Sequence, residues 1–354
     1  MTLPRAKSET TETEGSLREI PRFGTNPGQL KAWLYLPSDL PSGAPLVVAL
    51  HGCGQTAEDF ARGTGWNRLA DRHGFAVLYP EQQRRNNGGR CFNWFQPEDF
   101  AAAGGEVDSI RQMILHVVEC QGLDGQRVFI MGLSAGAAMA HAMLATHPDL
   151  FCGGGIVAGL PYGVTRTMGD ALQLMRGRNL PRPQVLADAM PAAPANRHRW
   201  PRITVWQGGA DRTVRAVNAE MVLSQWRGAM GLSAGGETSR IRGARRTLFK
   251  GAGKNGPLLE SVTLDALGHG LPLAAGASAP LGVAGQFFLD CDLSAVARMA
   301  LFWGLIEERD LPAYERAGER PYRSASTEET DPALPSGSLG RMLEKAMKVT
   351  GFMR

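Results

Sequence analysis

Short apolar runs punctuate the chain at 45–50, 76–79, 128–131, 155–158, 203–206 and 261–264. Runs of that kind form central strands whose two faces are both covered. Ahead of them, 30–36 alternates around Trp33 and Tyr35 and reads as an early strand, closed by a Pro/Ser/Gly turn at 37–44. Helical spacing appears in between. Val107, Ile110, Ile114, Val117 and Val118 line one helical face, and 219–226 carries a fainter version. Strands alternating with helices predict an α/β fold, a mostly parallel, doubly wound sheet with helices on both faces.

Two stretches break the alternation. Residues 161–201, rich in Pro, Arg and Met, separate two core strands where such folds need far fewer residues. They are expected to form a lid-like insertion, with a plain surface excursion as the alternative. Residues 318–337 turn polar, as a linker does, and 338–354 then sets Leu339, Met342, Leu343 and Met347 at helical spacing among Arg341, Lys345, Lys348 and Arg354. That spacing predicts a basic amphipathic helix, which either docks on its own domain or contacts a granule, a membrane or a partner. With the polar N-terminal segment 1–26 set apart, one domain over 27–317 remains.

Composition narrows the function classes. A chain of 354 residues, 43% of them hydrophobic, has ample material for a core, and 44 glycines suit the many tight turns of an α/β enzyme. The net charge of +4 is mild, and the basic cluster at 240–246 lacks interleaved aromatics, so a solvated surface is expected there and no nucleic-acid partner. Five cysteines follow no zinc spacing, and neither a metal nor a cofactor is expected. Residues 1–22 hold no apolar core of a secretory signal, and no run approaches the length of a membrane span. A cytoplasmic location without an integral span is expected on that basis. Gly251-Ala252-Gly253-Lys254 has the look of a phosphate loop, but Leu248 stands where that motif needs Gly and Asn255 where it needs Ser or Thr.

The candidate chemistry starts at Gly132-Leu133-Ser134-Ala135-Gly136, which follows the apolar run 128–131 and precedes a small-residue helical stretch. Strand, GxSxG, helix is the setting of a nucleophile elbow, although a bare Gly/Ser/Ala turn at a strand-helix junction has the same letters. A serine there needs a base to take its proton and a third group to orient that base, in the chain order Ser, acid, His. His141 and His147 fall on the helix after the elbow and His198 in the insertion. His269, between Gly268 and Gly270 just after the run 261–264, sits where open α/β sheets collect functional groups. Asp211 follows the run 203–206 in the same way; Asp188 and Asp265 are the weaker choices, and an aspartate at that place could also cap the next helix. An oxyanion hole needs two amides in place. Ala135 is expected to supply one and Cys53, in the glycine-rich stretch His51-Gly52-Cys53-Gly54-Gln55-Thr56, the other. His51 precedes the serine and is expected to brace that loop.

With these residues in view, the chain resembles the poly(3-hydroxybutyrate) depolymerase family of esterases, relatives of feruloyl and acetylxylan esterases. The matching stretches are 51–56, Tyr79-Pro80-Glu81-Gln82-Gln83, Cys91-Phe92-Asn93-Trp94-Phe95, 132–136, Ala158-Gly159-Leu160-Pro161-Tyr162 and 268–270. The resemblance implies an α/β-hydrolase fold and Ser134, Asp211 and His269 as a catalytic triad. It raises a pairing of Cys53 with Cys91, which a reducing cytoplasm would leave as two thiols. It also opens an extracellular location, since many such enzymes are secreted. Leu271 stands where many secreted depolymerases have Trp, so activity on solid polymer is not implied. The expected substrates are short-chain hydroxyalkanoate oligomers or simple acyl esters, cleaved through an acyl-enzyme without a cofactor. The alternatives are a feruloyl or acetylxylan type of carbohydrate esterase and a non-catalytic binding protein of the same fold. Trp94, Phe95 and Tyr162 are candidates for an apolar substrate pocket, with core packing as their other fate.

Overall fold

Every one of the apolar runs becomes a strand of a single sheet. The structure, a computed structural model, describes residues 16–191, 200–251, 256–277 and 280–313. In chain order the strands are β1 (Arg18–Glu19), β2 (Lys31–Tyr35), β3 (Leu46–Leu50), β4 (Ala76–Glu81), β5 (Val128–Leu133), β6 (Gly153–Val157), β7 (Arg202–Gly208), β8 (Glu237–Ile241), β9 (Ala244–Lys250) and β10 (Pro257–Leu264). They form a ten-stranded sheet in the order β1-β2-β4-β3-β5-β6-β7-β10-β9-β8. The run β4-β3-β5-β6-β7-β10 is parallel throughout, while β1, β2, β9 and β8 add antiparallel edges. A separate parallel pair, β11 (Leu271–Leu273) and β12 (Phe288–Asp290), follows the main sheet.

Helices cover both faces. On one side α1 (Ala57–Thr64), α2 (Trp66–His73) and a later helix at Ala295–Trp303 pack around Val47, Val77 and Phe129, with Trp66 stacked on Trp303 at 5.8 Å. On the other, α3 (Pro97–Phe100), α4 (Gly105–Gln121), α5 (Ala135–Thr146) and a helix at Val217–Met230 enclose Leu46, Val48, Ile130 and Ile203. All five residues of β3 are buried, which is why its sequence lacks alternation. The described residues hold no helix long and apolar enough to cross a membrane.

Sequence pattern did not disclose the β8–β9 hairpin. Its outer strand β8 lies at the sheet edge and is mostly exposed, so Glu237-Thr238-Ser239-Arg240-Ile241 carries polar residues on both faces and no apolar run. Arg242 and Gly243, at φ 47° and 84°, make the two-residue turn that matches strand twist. The basic cluster at 240–246 is therefore a hairpin tip, and its Arg246 pairs at 2.6 Å with the buried carboxylate of Glu260 on β10.

The excursion after β6 supplies α6 (Met168–Met175) and α7 (Pro183–Ala189), which precede α8 (Val217–Met230), with α9 (Ala295–Trp303) last. Its described residues seat on α8. Gln225 donates to the carbonyls of Tyr162 and Leu186, and Asn218 to that of Leu174. They also reach the turn that carries Asp211, where the Arg215 amide donates to the Met175 carbonyl at 2.9 Å. The predicted linker 318–337 and helix 338–354, and the residues Lys254, Asn255 and His198, lie outside the described residues.

Candidate active site

Four loops at the carboxyl ends of parallel strands converge. Residues 51–56 follow β3, Ser134 follows β5, Asp211 follows β7 and His269 follows β10. Ser134 is the residue before α5 and takes φ 57°, ψ −118°, a conformation that costs on the order of 1–3 kcal/mol for a residue with a Cβ. Its amide donates to the Val157 carbonyl at 2.9 Å. A Cβ on Gly132 would strike the Gly136 carbonyl, and one on Gly136 would strike the carbonyls of Leu50 and His51. Only glycines let strand, turn and helix approach this closely. The serine is consequently aimed out of the sheet, 5% exposed.

Asp211 is 1% exposed, and among the described residues each hydrogen bond to its carboxylate comes from an N–H donor. Oδ1 accepts from the amides of Thr213 and Val214, each at 2.8 Å; Oδ2 lies 2.7 Å from His269 Nδ1 and accepts from Gln207 Nε2 at 3.3 Å. The carboxylate closes its own turn and does not cap α8, whose preceding residue is Ala216. The two loops are laced by main-chain bonds from Gly209 to Leu264 and from Ala210 to Leu267, at 2.8 and 3.0 Å. A Cβ on Gly208 would collide with the carbonyls of Leu267 and Gly268, so the Gly-Gly step sets how near the loops come. Asp188 and Asp265 are exposed, and Asp188 accepts from Gln184 on its own helix. His141 is fully buried with Nδ1 on the Leu160 carbonyl, and His147 ends α5.

The 51–56 loop is held from several sides. Cys53 is joined to Cys91 by a disulfide, and the Gly54 amide donates to the Gly89 carbonyl at 2.8 Å. Gln55 Oε1 accepts from the Gly52 amide, and α1 begins at once because Thr56 and Asp59 cap it reciprocally. His51 donates through Nδ1 to the Gly52 carbonyl and accepts the Gln82 amide at Nε2, a neutral tautomer. Burial lowers its pKa, and with both nitrogens engaged it braces the loop. Gln82 also donates to Glu106, whose other oxygen accepts the Asn93 amide. Burial and the charge of Asp99 push the Glu106 carboxyl well up. Among the described residues the amides of Cys53 and Ala135 donate to no acceptor of the chain.

Gly52, Cys53, Leu133, Ser134, His269 and Phe287 wall a cavity of about 10 Å³. The three aromatic pocket candidates are elsewhere. Trp94 and Phe95 are buried in the core, edge to face at 5.7 Å, and Tyr162 packs edge-on against Phe100 at 5.5 Å. A motif marks an aromatic residue without saying whether it faces the core or a cleft, and here the core takes Trp94 and Phe95 while Tyr162 stays half-buried at its edge. Gln207 and Phe287 escaped sequence reasoning. Gln207 directly precedes the Gly-Gly step, which is a local signal; Phe287 arrives by a chain path that no periodicity marks. Among the described residues no group of three or more His, Cys, Asp or Glu side chains is disposed to hold a metal ion.

Residues 30–248 match the family described as Esterase PHB depolymerase. The chain belongs to this esterase family. Over 303 residues it is 38% identical to poly(3-hydroxyalkanoate) depolymerase C of Paucimonas lemoignei, covering 82% of this chain and 70% of that protein. Feruloyl esterase B of Talaromyces funiculosus is 28% identical over 266 residues, 73% of this chain and 74% of its own. Among solved structures, an acetyl xylan esterase from Aspergillus awamori superposes with a TM-score of 0.64 at 25% identity, over 72% of this chain and 94% of that one. The fold of this PHB depolymerase family member is the α/β-hydrolase type, and its relatives are hydrolases of carboxylic esters.

Proposed function

We propose that this esterase works through an acyl-enzyme carried by Ser134. Ser134 Oγ attacks the ester carbonyl carbon while His269 Nε2 takes its proton, and the amides of Cys53 and Ala135 meet the charge that builds on the carbonyl oxygen. His269 then hands the proton to the departing alkoxide, and a water repeats the cycle to free the acid. Asp211 fixes the His269 tautomer and stabilises the imidazolium. The observation that carries this reading is the 2.7 Å Asp211–His269 hydrogen bond, made by a histidine that shares one cavity wall with Ser134. Turnover of p-nitrophenyl butyrate before and after Ser134→Ala tests it. A loss of about three or more orders of magnitude in kcat is expected, and wild-type turnover by the variant sinks the reading. The same measurement separates an enzyme from a binding protein of this fold.

Short-chain hydroxyalkanoate oligomers or simple acyl esters are the substrates favoured, because the relative at 38% identity is named a poly(3-hydroxyalkanoate) depolymerase. A carbohydrate-linked acetyl or feruloyl ester is the second reading, favoured by the likeness to an acetyl xylan esterase. Ranking kcat/KM for hydroxybutyrate oligomers, acetylated xylan and methyl ferulate decides between them. The domain over 27–317 is proposed to hold all of this chemistry, with 161–201 as its insertion and 318–337 as a linker to a basic helix at 338–354. The Cys53–Cys91 bond supports an oxidising, extracytoplasmic location over the cytoplasmic one, since such bonds persist where thiols are not kept reduced.

A further inference from the structure

The cavity between Ser134 and His269 has room for about one water molecule. An ester that reaches Ser134 therefore lies across the mouth of this space, against the side chains that wall it. Five of its lining residues belong to strand ends or to loops already tied down by the elbow, the disulfide and the acid-histidine lacing. The sixth, Phe287, is built differently.

Its backbone is pinned. The Phe287 carbonyl accepts the Leu271 amide at 2.8 Å, two residues beyond His269, and the turn under it is closed by paired bonds between Gly285 and Phe288 at 3.0 and 3.1 Å. Phe288 is buried against Phe60 and over Gly63, which anchors the turn in the core. What remains movable is the Phe287 side chain. Its ring stands edge to face on the His269 imidazole, centroids 6.1 Å apart and planes at 80°.

His269 must reach the oxygen of the leaving alcohol to protonate it, so the alcohol occupies space beside the imidazole. A ring resting on that imidazole borders the space the alcohol takes. We propose that Phe287 is a specificity-determining residue on the alcohol side of the site, a side-chain gate that admits open-chain alcohols such as a hydroxyacid and turns away cyclic sugar alcohols. The inference rests on the serine esterase reading of Ser134 and His269. Rotation of one ring opens a narrow slot beside the histidine. A pyranose needs the full width that the ring and its pinned turn take up.

The test compares two acetate esters that share the acyl group, methyl 3-acetoxybutyrate and acetylated methyl xylopyranoside. In the full-length wild type the ratio of kcat/KM favours the open-chain ester by about tenfold or more, the size that packing in an apolar slot delivers. Phe287→Ala moves that ratio toward the sugar ester by about tenfold or more, and Phe287→Leu falls between. A wild type that prefers the sugar ester, or a ratio unchanged in both variants, overturns the proposal. Adding Ser134→Ala to Phe287→Ala silences both substrates if the serine reading is right. Persistent turnover there overturns the serine, whereas a flat ratio in an active enzyme overturns Phe287 alone.

Discussion

His269 Nδ1 and Asp211 Oδ2 are 2.7 Å apart although 58 residues separate them along the chain. The contact exists because β7 and β10 are parallel neighbours, paired from Ile203–Leu259 to Gly208–Leu264, so the loops after them leave the sheet side by side. With three further N–H donors on the same carboxylate, the aspartate is positioned before any substrate arrives.

Replacing that carboxylate by an amide keeps the size and spoils the donor pattern. In Asp211→Asn one end of the group must face N–H donors with an NH₂ of its own, so either the Thr213–Val214 turn or the His269 contact is lost. We expect kcat on p-nitrophenyl butyrate to fall by about 10⁴ with KM changed by less than about threefold. Near-normal kcat would return the acid role to Asp188 or Asp265.

Gly208→Ala probes the spacing of the two loops. The added Cβ meets the carbonyls of Leu267 and Gly268, and overpacking of this kind costs about 1–3 kcal/mol. Both Tm and kcat should drop, the latter because the histidine loop is pushed off the acid. Gly228→Ala, on α8 with nothing near its added Cβ, should instead hold or raise Tm. Equal behaviour of the two variants in thermal melts would contradict the lacing argument.

The Cys53–Cys91 disulfide joins positions 38 residues apart, and closing such a loop contributes about 3–4 kcal/mol. Cys91→Ser should lower the urea midpoint accordingly. Because Cys53 lends its amide to the proposed oxyanion hole, kcat should fall more than KM rises. Full kcat in a destabilised Cys91→Ser enzyme would leave the bond a purely structural tie.

Burial holds the His141 imidazole neutral and brings its pKa from 6.5 down to about 4. The unfolded chain binds this proton below about pH 6.5 and the folded protein does not until about pH 4, so acidification through that window favours unfolding. Up to about 3 kcal/mol is lost from this group alone. His141→Gln should therefore show a smaller fall in urea midpoint between pH 6.5 and pH 4 than the wild type. Parallel curves would remove His141 from the acid response.

Much of the architecture was legible because its signals are local. Each central strand is an apolar run, and Ser134, Asp211 and His269 each stand within two residues of a glycine just past such a run. Trp94, Phe95 and Tyr162 show the opposite case. Their side chains can face a core or a cleft with no change in nearby sequence, and the structure buries Trp94 and Phe95 and leaves Tyr162 half-buried against Phe100. The β8–β9 hairpin went unread because an exposed edge strand has no need of apolar residues.

By itself, then, the sequence determined the strands β2 to β7 and β10, the elbow at 132–136 and the chain order of serine, candidate acid and candidate histidine, because burial and backbone geometry constrain those residues where they stand. Only the tertiary structure decided that Asp211 reaches His269, that Cys53 meets Cys91 and that Phe287 lies on the imidazole. Those contacts depend on which strands are neighbours and how closely two loops can approach, and such long-range packing leaves no period or motif in the chain.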